Sequence, residues 1–163
     1  MTGAVLRRVL SDEEATTQLA AALAASQPGP GVVYLRGDLG AGKSSLARAW
    51  LRSLGVTGTS RSPTYTLVER YPLGESEALH LDLYRIGSGG ELEFLGLDGE
   101  PASLWLVEWP ERGVGGLPAA DLVIALSIHG RGRLVDIVAA SPLGARWVAA
   151  AEESGKLASF PEP

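Results

Sequence analysis

GVVYLRGDLGAGKSSLARAWL, residues 31–51, decides the fold of this chain. Val32, Val33, Tyr34 and Leu35 form a short apolar run that reads as a mostly buried strand over Gly31–Arg36. GDLGAGKS then satisfies the pattern G-x-x-x-x-G-K-[ST] through Gly37, Gly42, Lys43 and Ser44. A helix is expected from about residue 42 to residue 54, where Gly55 stops it. Strand, glycine-rich loop and helix are the setting in which backbone N–H groups turn inward around phosphate oxygens and the helix adds the positive end of its dipole. In such a loop Lys43 serves as a point charge for the β- and γ-phosphates, and the Ser44 hydroxyl serves Mg²⁺. Leu39, Gly40, Ala41, Gly42, Lys43, Ser44 and Ser45 are therefore the candidate contacts for a nucleoside triphosphate.

Outward from the loop, a first helix is expected over residues 12–25, with Ser11 and Glu14 at capping-box spacing and Leu19 and Leu23 on one face. Gln27-Pro28-Gly29-Pro30-Gly31 ends it. Residues 66–71 and 79–84 read as strands joined by a hairpin-length loop. In the second, Leu79, Leu81 and Leu83 alternate with His80, Asp82 and Tyr84, which sets Asp82 on the face opposite the leucines. After a glycine-rich break at 87–90 comes a short helical segment near 91–95, then the buried strand 104–107 ending in Glu108. Strands over 122–128 and 134–139 flank the turn His129-Gly130-Arg131-Gly132. The expectation is an α/β domain over residues 1–140. Its fold is P-loop NTPase-like, three-layered, with a central sheet that is mostly parallel but mixed because of the hairpins. Residues 141–163 read as a C-terminal tail, helical around Trp147 and frayed at Phe160-Pro161-Glu162-Pro163.

Composition narrows the function. The chain has 163 residues, 45% of them hydrophobic, which suits one domain with a sizeable core and argues against disorder. The longest apolar runs fall far short of the roughly 20 residues of a membrane span, and the first ten residues lack the form of a secretory signal. With no cysteine, a cytoplasmic protein without disulfides or thiolate metal sites is the default. The net charge of −5, with no basic run, gives no large footprint for nucleic acid. Among 14 basic residues only Lys43 and Lys156 are lysines, so lysine is retained where a compact ammonium is chemically useful.

A phosphate loop ordinarily works with a carboxylate at the end of a neighbouring strand. Glu108 follows Leu104-Trp105-Leu106-Val107 and is the favoured metal ligand; Asp82 competes with it, or else orients or deprotonates the attacking water. The hydroxyls of Ser62-Pro63-Thr64-Tyr65-Thr66 are candidates for a switch that senses the γ-phosphate. By residue type alone Trp109 reads as packing, and His80 and His129, which lack partners at ligand spacing, read as structural or surface residues.

Five blocks in order carry a family resemblance: GDLGAGKS at 37–44, SPTYTLVERY at 62–71, HLDLYRI at 80–86, ELEFLGL at 91–97 and LVEWPERG at 106–113. Together they closely resemble the TsaE family, also called YjeE, over roughly residues 11–138. The resemblance implies a weak ATPase that binds ATP and Mg²⁺, works with TsaD and TsaB, and is required for threonylcarbamoyladenosine in tRNA. It gives Lys43 and Ser44 their phosphate and Mg²⁺ roles, makes Glu108 the metal-associated acid, and makes Asp82 an acid of hydrolysis. It also places Thr64 in the switch-like segment, Trp109 beside the nucleotide, and Asp12 and Arg131 among the nucleotide contacts. Ser44 stands where the family more often has Thr, and no family motif extends past about residue 142. Two rival readings fit the loop: a small-molecule or nucleotide kinase, and a nucleotide-gated binding module in which hydrolysis only resets docking.

Overall fold

A computed structural model describes residues 5–57, 68–87 and 102–163. In chain order the elements are β1 (Val5–Leu10), α1 (Glu13–Ser26), β2 (Gly31–Arg36), α2 (Lys43–Ser53), β3 (Val68–Leu73), β4 (Ser76–Asp82), β5 (Leu104–Glu108), β6 (Leu122–His129), β7 (Gly132–Ala139) and α3 (Pro142–Glu153). The strands form a single sheet in the order β1-β7-β6-β2-β5-β4-β3. Its centre is parallel, β6 to β2, β2 to β5 and β5 to β4, while both flanks are antiparallel. The mixed α/β sheet expected from the sequence is thus present, with the hairpins β3–β4 and β6–β7, together with β1 on β7, supplying the antiparallel pairs. The helical segment expected near 91–95 and the segment containing Thr64 lie outside the described residues. Among the described residues no helix is long and apolar enough to cross a membrane.

Local chemistry explains most element boundaries. α1 starts one residue later than expected and its N-cap is Asp12, whose side chain accepts from the Ala15 N–H at 2.9 Å. Asp12 and Ser11 are rival caps for one helix start, and the Asp carboxylate is also favoured by the helix dipole. α2 begins at Lys43 directly from the loop and ends at Leu54-Gly55, where the Leu54 and Gly55 N–H groups bond to the last carbonyls. The strand β1 had no counterpart in the sequence reading. Arg7 and Arg8 interrupt its alternation, yet Leu6 and Leu10 are buried and the strand pairs along its length with β7. An edge strand needs only a few inward side chains, so its periodicity is weak.

The C-terminal residues differ from the expectation of a frayed end. α3 forms around Trp147 as expected, capped by Ser141 Oγ on the Gly144 N–H. The chain then continues inward: Leu157 and Phe160 join the same core as Trp147, Val148 and Ala151, and Pro161 O accepts from Val9 N at 2.8 Å. Apolar side chains spaced at 147, 148, 151, 157 and 160 outweigh the prolines that suggested fraying.

The sheet separates two apolar layers. On one face Val33, Leu35, Leu104, Leu106, Ile124 and Ile137 pack with α1, α2 and α3. On the other face Leu79, Leu81, Leu83 and Val107 gather with Tyr34, Trp105 and Leu117. Because side chains alternate along a strand, Ala78, His80 and Asp82 of β4 and Leu104, Leu106 and Glu108 of β5 share the helix-bearing face. Asp82 therefore lies opposite the leucines, as its alternation predicts. Trp147 anchors α3: it is fully buried, donates Nε1–H to Leu23 O at 2.9 Å, and meets Trp50 edge-on with ring centroids 5.9 Å apart. Trp147→Ala is expected to lower the unfolding free energy by roughly 3–5 kcal/mol, whereas Arg146→Ala on the exposed side of α3 should shift it by less than about 0.5 kcal/mol. Urea denaturation of the two variants against the wild type checks this.

Candidate nucleotide-binding site

The parallel register brings the chemistry together. Leu35 of β2 pairs with Glu108 of β5, and Glu108 pairs with Asp82 of β4, so both acids sit at strand ends beside the point where β2 becomes the loop. A cleft of about 370 Å³ opens there, lined among others by Lys43, Ser44, Asp82, Tyr84, Glu108 and Trp109. The volume suits a small ligand, and carboxyl ends of parallel strands are where open α/β sheets bind them. Glu108 is only 2% exposed, and Ser44 Oγ lies 2.9 Å from its Oε1 and 3.1 Å from its Oε2. Lys43 Nζ donates to Gly37 O, and to Asp38 O at 2.9 Å. Asp82 Oδ1 accepts from the Tyr84 N–H at 3.1 Å.

The loop depends on backbone freedom at two of its ends. Gly37 has φ 148°, and a Cβ there would meet Leu126 O at 2.5 Å; Gly42 has φ 111° and is the N-cap of α2. Leu39 is 66% exposed, Gly40 also lines the cleft, Ser45 borders it from the first turn of α2, and Ala41 is buried beneath. Trp109 adopts the left-handed conformation at φ 57°, rare for a bulky residue and all the more so before a proline. This turn swings its indole over Lys43, Nζ lying 4.5 Å from the ring centroid, with Tyr84 4.9 Å away and Arg112 beyond. Trp109, which by residue type alone looked like packing, is thus a wall of the cleft.

Asp12 and Arg131 meet in a smaller adjoining cavity that shares Gly42, Ser45 and Arg133 with the cleft. The residue that holds the loop, however, is Arg133. Its Nε donates to Ala41 O at 2.9 Å and its Nη2 to Gly40 O at 3.2 Å. The turn at 129–132 leaves Arg131 exposed and returns Arg133 on β7 toward the loop. His80, read from the sequence as structural or surface, makes a contact there that was not anticipated. It is fully buried, and its Nε2 lies 2.6 Å from Glu108 Oε2. The signal was the spacing of His80 and Asp82, two apart and hence on one strand face, next to a parallel strand ending in an acid.

Known proteins match the chain over most of its length. The family model described as threonylcarbamoyl adenosine biosynthesis protein TsaE matches residues 10–134. The tRNA threonylcarbamoyladenosine biosynthesis protein TsaE of Haemophilus influenzae is 41% identical over 121 residues, covering 73% of this chain and 77% of the relative. The TsaE protein of Bacillus subtilis is 36% identical over 126 residues, covering 76% and 77%. The crystal structure of Bacillus YdiB superposes with a TM-score of 0.75 at 26% identity, covering 95% of this chain and 98% of that one.

Burial governs the charges in the cleft. It lowers the Lys43 ammonium from its ordinary value, against the pull of Glu108 and Asp82, and it raises the Asp82 carboxyl, against the Tyr84 N–H that stabilises the anion. A carboxyl with a raised folded-state pKa costs no stability below the ordinary aspartate value near 3.8, and costs progressively more as pH climbs through its raised value. Asp82→Asn keeps an acceptor for the Tyr84 N–H and removes that cost. Its melting temperature should exceed that of the wild type at pH 7–8, with the gap closing as pH falls below about 4. A gap that does not vary with pH contradicts the burial of the Asp82 charge.

Proposed function

The chain belongs to the TsaE family of tRNA threonylcarbamoyladenosine biosynthesis, and on that premise we propose that it binds ATP with Mg²⁺ and hydrolyses the ATP in support of TsaD and TsaB. The observation that carries this reading is the Ser44 hydroxyl held against both oxygens of the Glu108 carboxylate, one residue along from Lys43 at the head of α2. A hydroxyl and a carboxylate are hard oxygen donors of the kind Mg²⁺ takes, and the site fits that ion.

Each residue has a task that its surroundings allow. The loop N–H groups and the N-terminus of α2 receive the phosphates. Lys43, bonded to the Gly37 and Asp38 carbonyls, exchanges those partners for β- and γ-phosphate oxygens. Ser44 and Glu108 hold the metal, which when bound neutralises charge on the β- and γ-phosphates. Asp82 has one oxygen fixed by the Tyr84 N–H, which leaves the other to orient a water and take its proton. Burial that raises its carboxyl also makes the ionised form a better base. The indole of Trp109 walls one side of the phosphates. Arg85 and Arg133 also line the cleft, and a site that TsaD or TsaB completes would leave hydrolysis by the chain alone weak. The proposed location is the cytoplasm, in keeping with a chain that contains no cysteine.

Lys43→Ala is expected to weaken ATP binding about 100-fold or more. Asp82→Ala should leave ATP affinity within about threefold and reduce phosphate release about 100-fold. Calorimetry with ATP and a phosphate-release assay, run with and without TsaD and TsaB, read both quantities, with modified tRNA measured alongside. Full turnover by both variants rules out these roles. Many rounds of tRNA modification supported by Asp82→Ala would favour nucleotide-gated docking over hydrolysis as the essential step.

A further inference from the structure

We propose that His80 is a positioning residue that fixes the orientation of the Glu108 carboxylate and thereby sets the affinity of the site for Mg²⁺. Three observations carry this. His80 sits on the helix-bearing face of β4, two register pairs short of the pair Asp82–Glu108, and it is fully buried. Its Nε2 stands 2.6 Å from Glu108 Oε2. Its Nδ1 is buried with no hydrogen-bond partner among the described residues.

The orphaned nitrogen fixes the tautomer. A carboxylate oxygen only accepts, so Nε2 carries the proton and donates it. A proton on Nδ1 would find no acceptor among the described residues, whereas a bare lone pair there leaves no unpaired N–H. The ring is therefore a one-sided donor aimed at Glu108. As a plain core residue a histidine here would be a poor choice, since an unpaired buried polar atom costs about 1–3 kcal/mol and an apolar side chain would avoid it.

The consequence falls on Glu108. The terminal torsion of a glutamate is broad, and the single proton of the Ser44 hydroxyl can satisfy only one of the two carboxylate oxygens at a time. With Oε2 tied to His80, the carboxylate plane is set and Oε1 is presented toward Ser44. Partners of this kind behind a ligating carboxylate commonly change metal affinity 10–100-fold when removed.

The inference rests on the reading of Ser44 and Glu108 as the Mg²⁺ ligands, and two measurements keep the two ideas apart. Nitrogen-15 correlation spectra of the histidine rings in the metal-free wild-type protein should show His80 protonated at Nε2 and bare at Nδ1. The chain has two histidines, so His129→Gln assigns the signal. A proton on Nδ1 overturns the proposed bond whether or not any His80 variant folds. The second measurement is the Mg²⁺ concentration dependence of binding of a non-hydrolysable ATP analogue, read by calorimetry. His80→Phe, which keeps the bulk and removes the donor, should weaken apparent Mg²⁺ affinity about 10–100-fold, with nucleotide affinity in EDTA unchanged. His80→Gln, whose amide nitrogen reaches about as far as Nε2, should recover most of the loss. Unchanged Mg²⁺ affinity in His80→Phe, or no recovery in His80→Gln, overturns the positioning role. Wild-type binding that ignores Mg²⁺ overturns the metal reading instead.

Discussion

The structure is organised around a buried carboxylate. Glu108 lies at the tip of a central strand with almost no exposure, and an ionised carboxylate placed there without partners would cost several kcal/mol. Ser44 and His80 offset that cost from two sides, one from the start of α2 and one from β4. The bond from Ser44 ties the first turn of the helix to the sheet, so the loop between β2 and α2 is held at both ends. The ring of His80 ties the neighbouring strand to the same group. A carboxylate stabilised in this way is rigid, and rigidity is what its proposed role as a metal ligand requires.

Register converts that local arrangement into a site. Parallel pairing of β2, β5 and β4 ends at Leu35, Glu108 and Asp82, so the two acids lie side by side in the last residue pair of β4 and β5. A shift of one residue in β4 or β5 would turn its acid toward the opposite face of the sheet. The apolar residues that prevent such a shift are the two alternating sets, Leu104 and Leu106 under the helices and Leu79, Leu81 and Val107 on the other side. Trp109 then closes the cleft from the first residue after β5, at the expense of a left-handed backbone that costs about 1–3 kcal/mol.

Much of this was legible in the residues. The glycine-rich loop, the helix after it, the strand ending in Glu108 and the side of β4 bearing Asp82 all follow from spacing and alternation, because they depend on neighbours in the chain. His80 and Arg133 were not legible, because their partners come from other elements. The imidazole finds Glu108 across a parallel pair, and the guanidinium finds the loop carbonyls across the sheet. Arg131 and Arg133 are separated only by the exit from a tight turn, and composition does not say which of them faces the loop. β1 was hidden by its two arginines, and the inward path of the C-terminal residues by their prolines. In each of these cases tertiary contact outweighed a local pattern.

The central claim is that Ser44 and Glu108 together form the cation site of a nucleotide-bearing loop. The most direct test is the anomalous density of crystals grown with a non-hydrolysable ATP analogue and Mn²⁺ in place of Mg²⁺. The account predicts one metal peak bonded to Ser44 Oγ and facing Glu108, with Lys43 moved from the Gly37 and Asp38 carbonyls onto the phosphates. A triphosphate bound outside the loop, or a metal peak remote from Ser44 while its hydroxyl stays on Glu108, would contradict it.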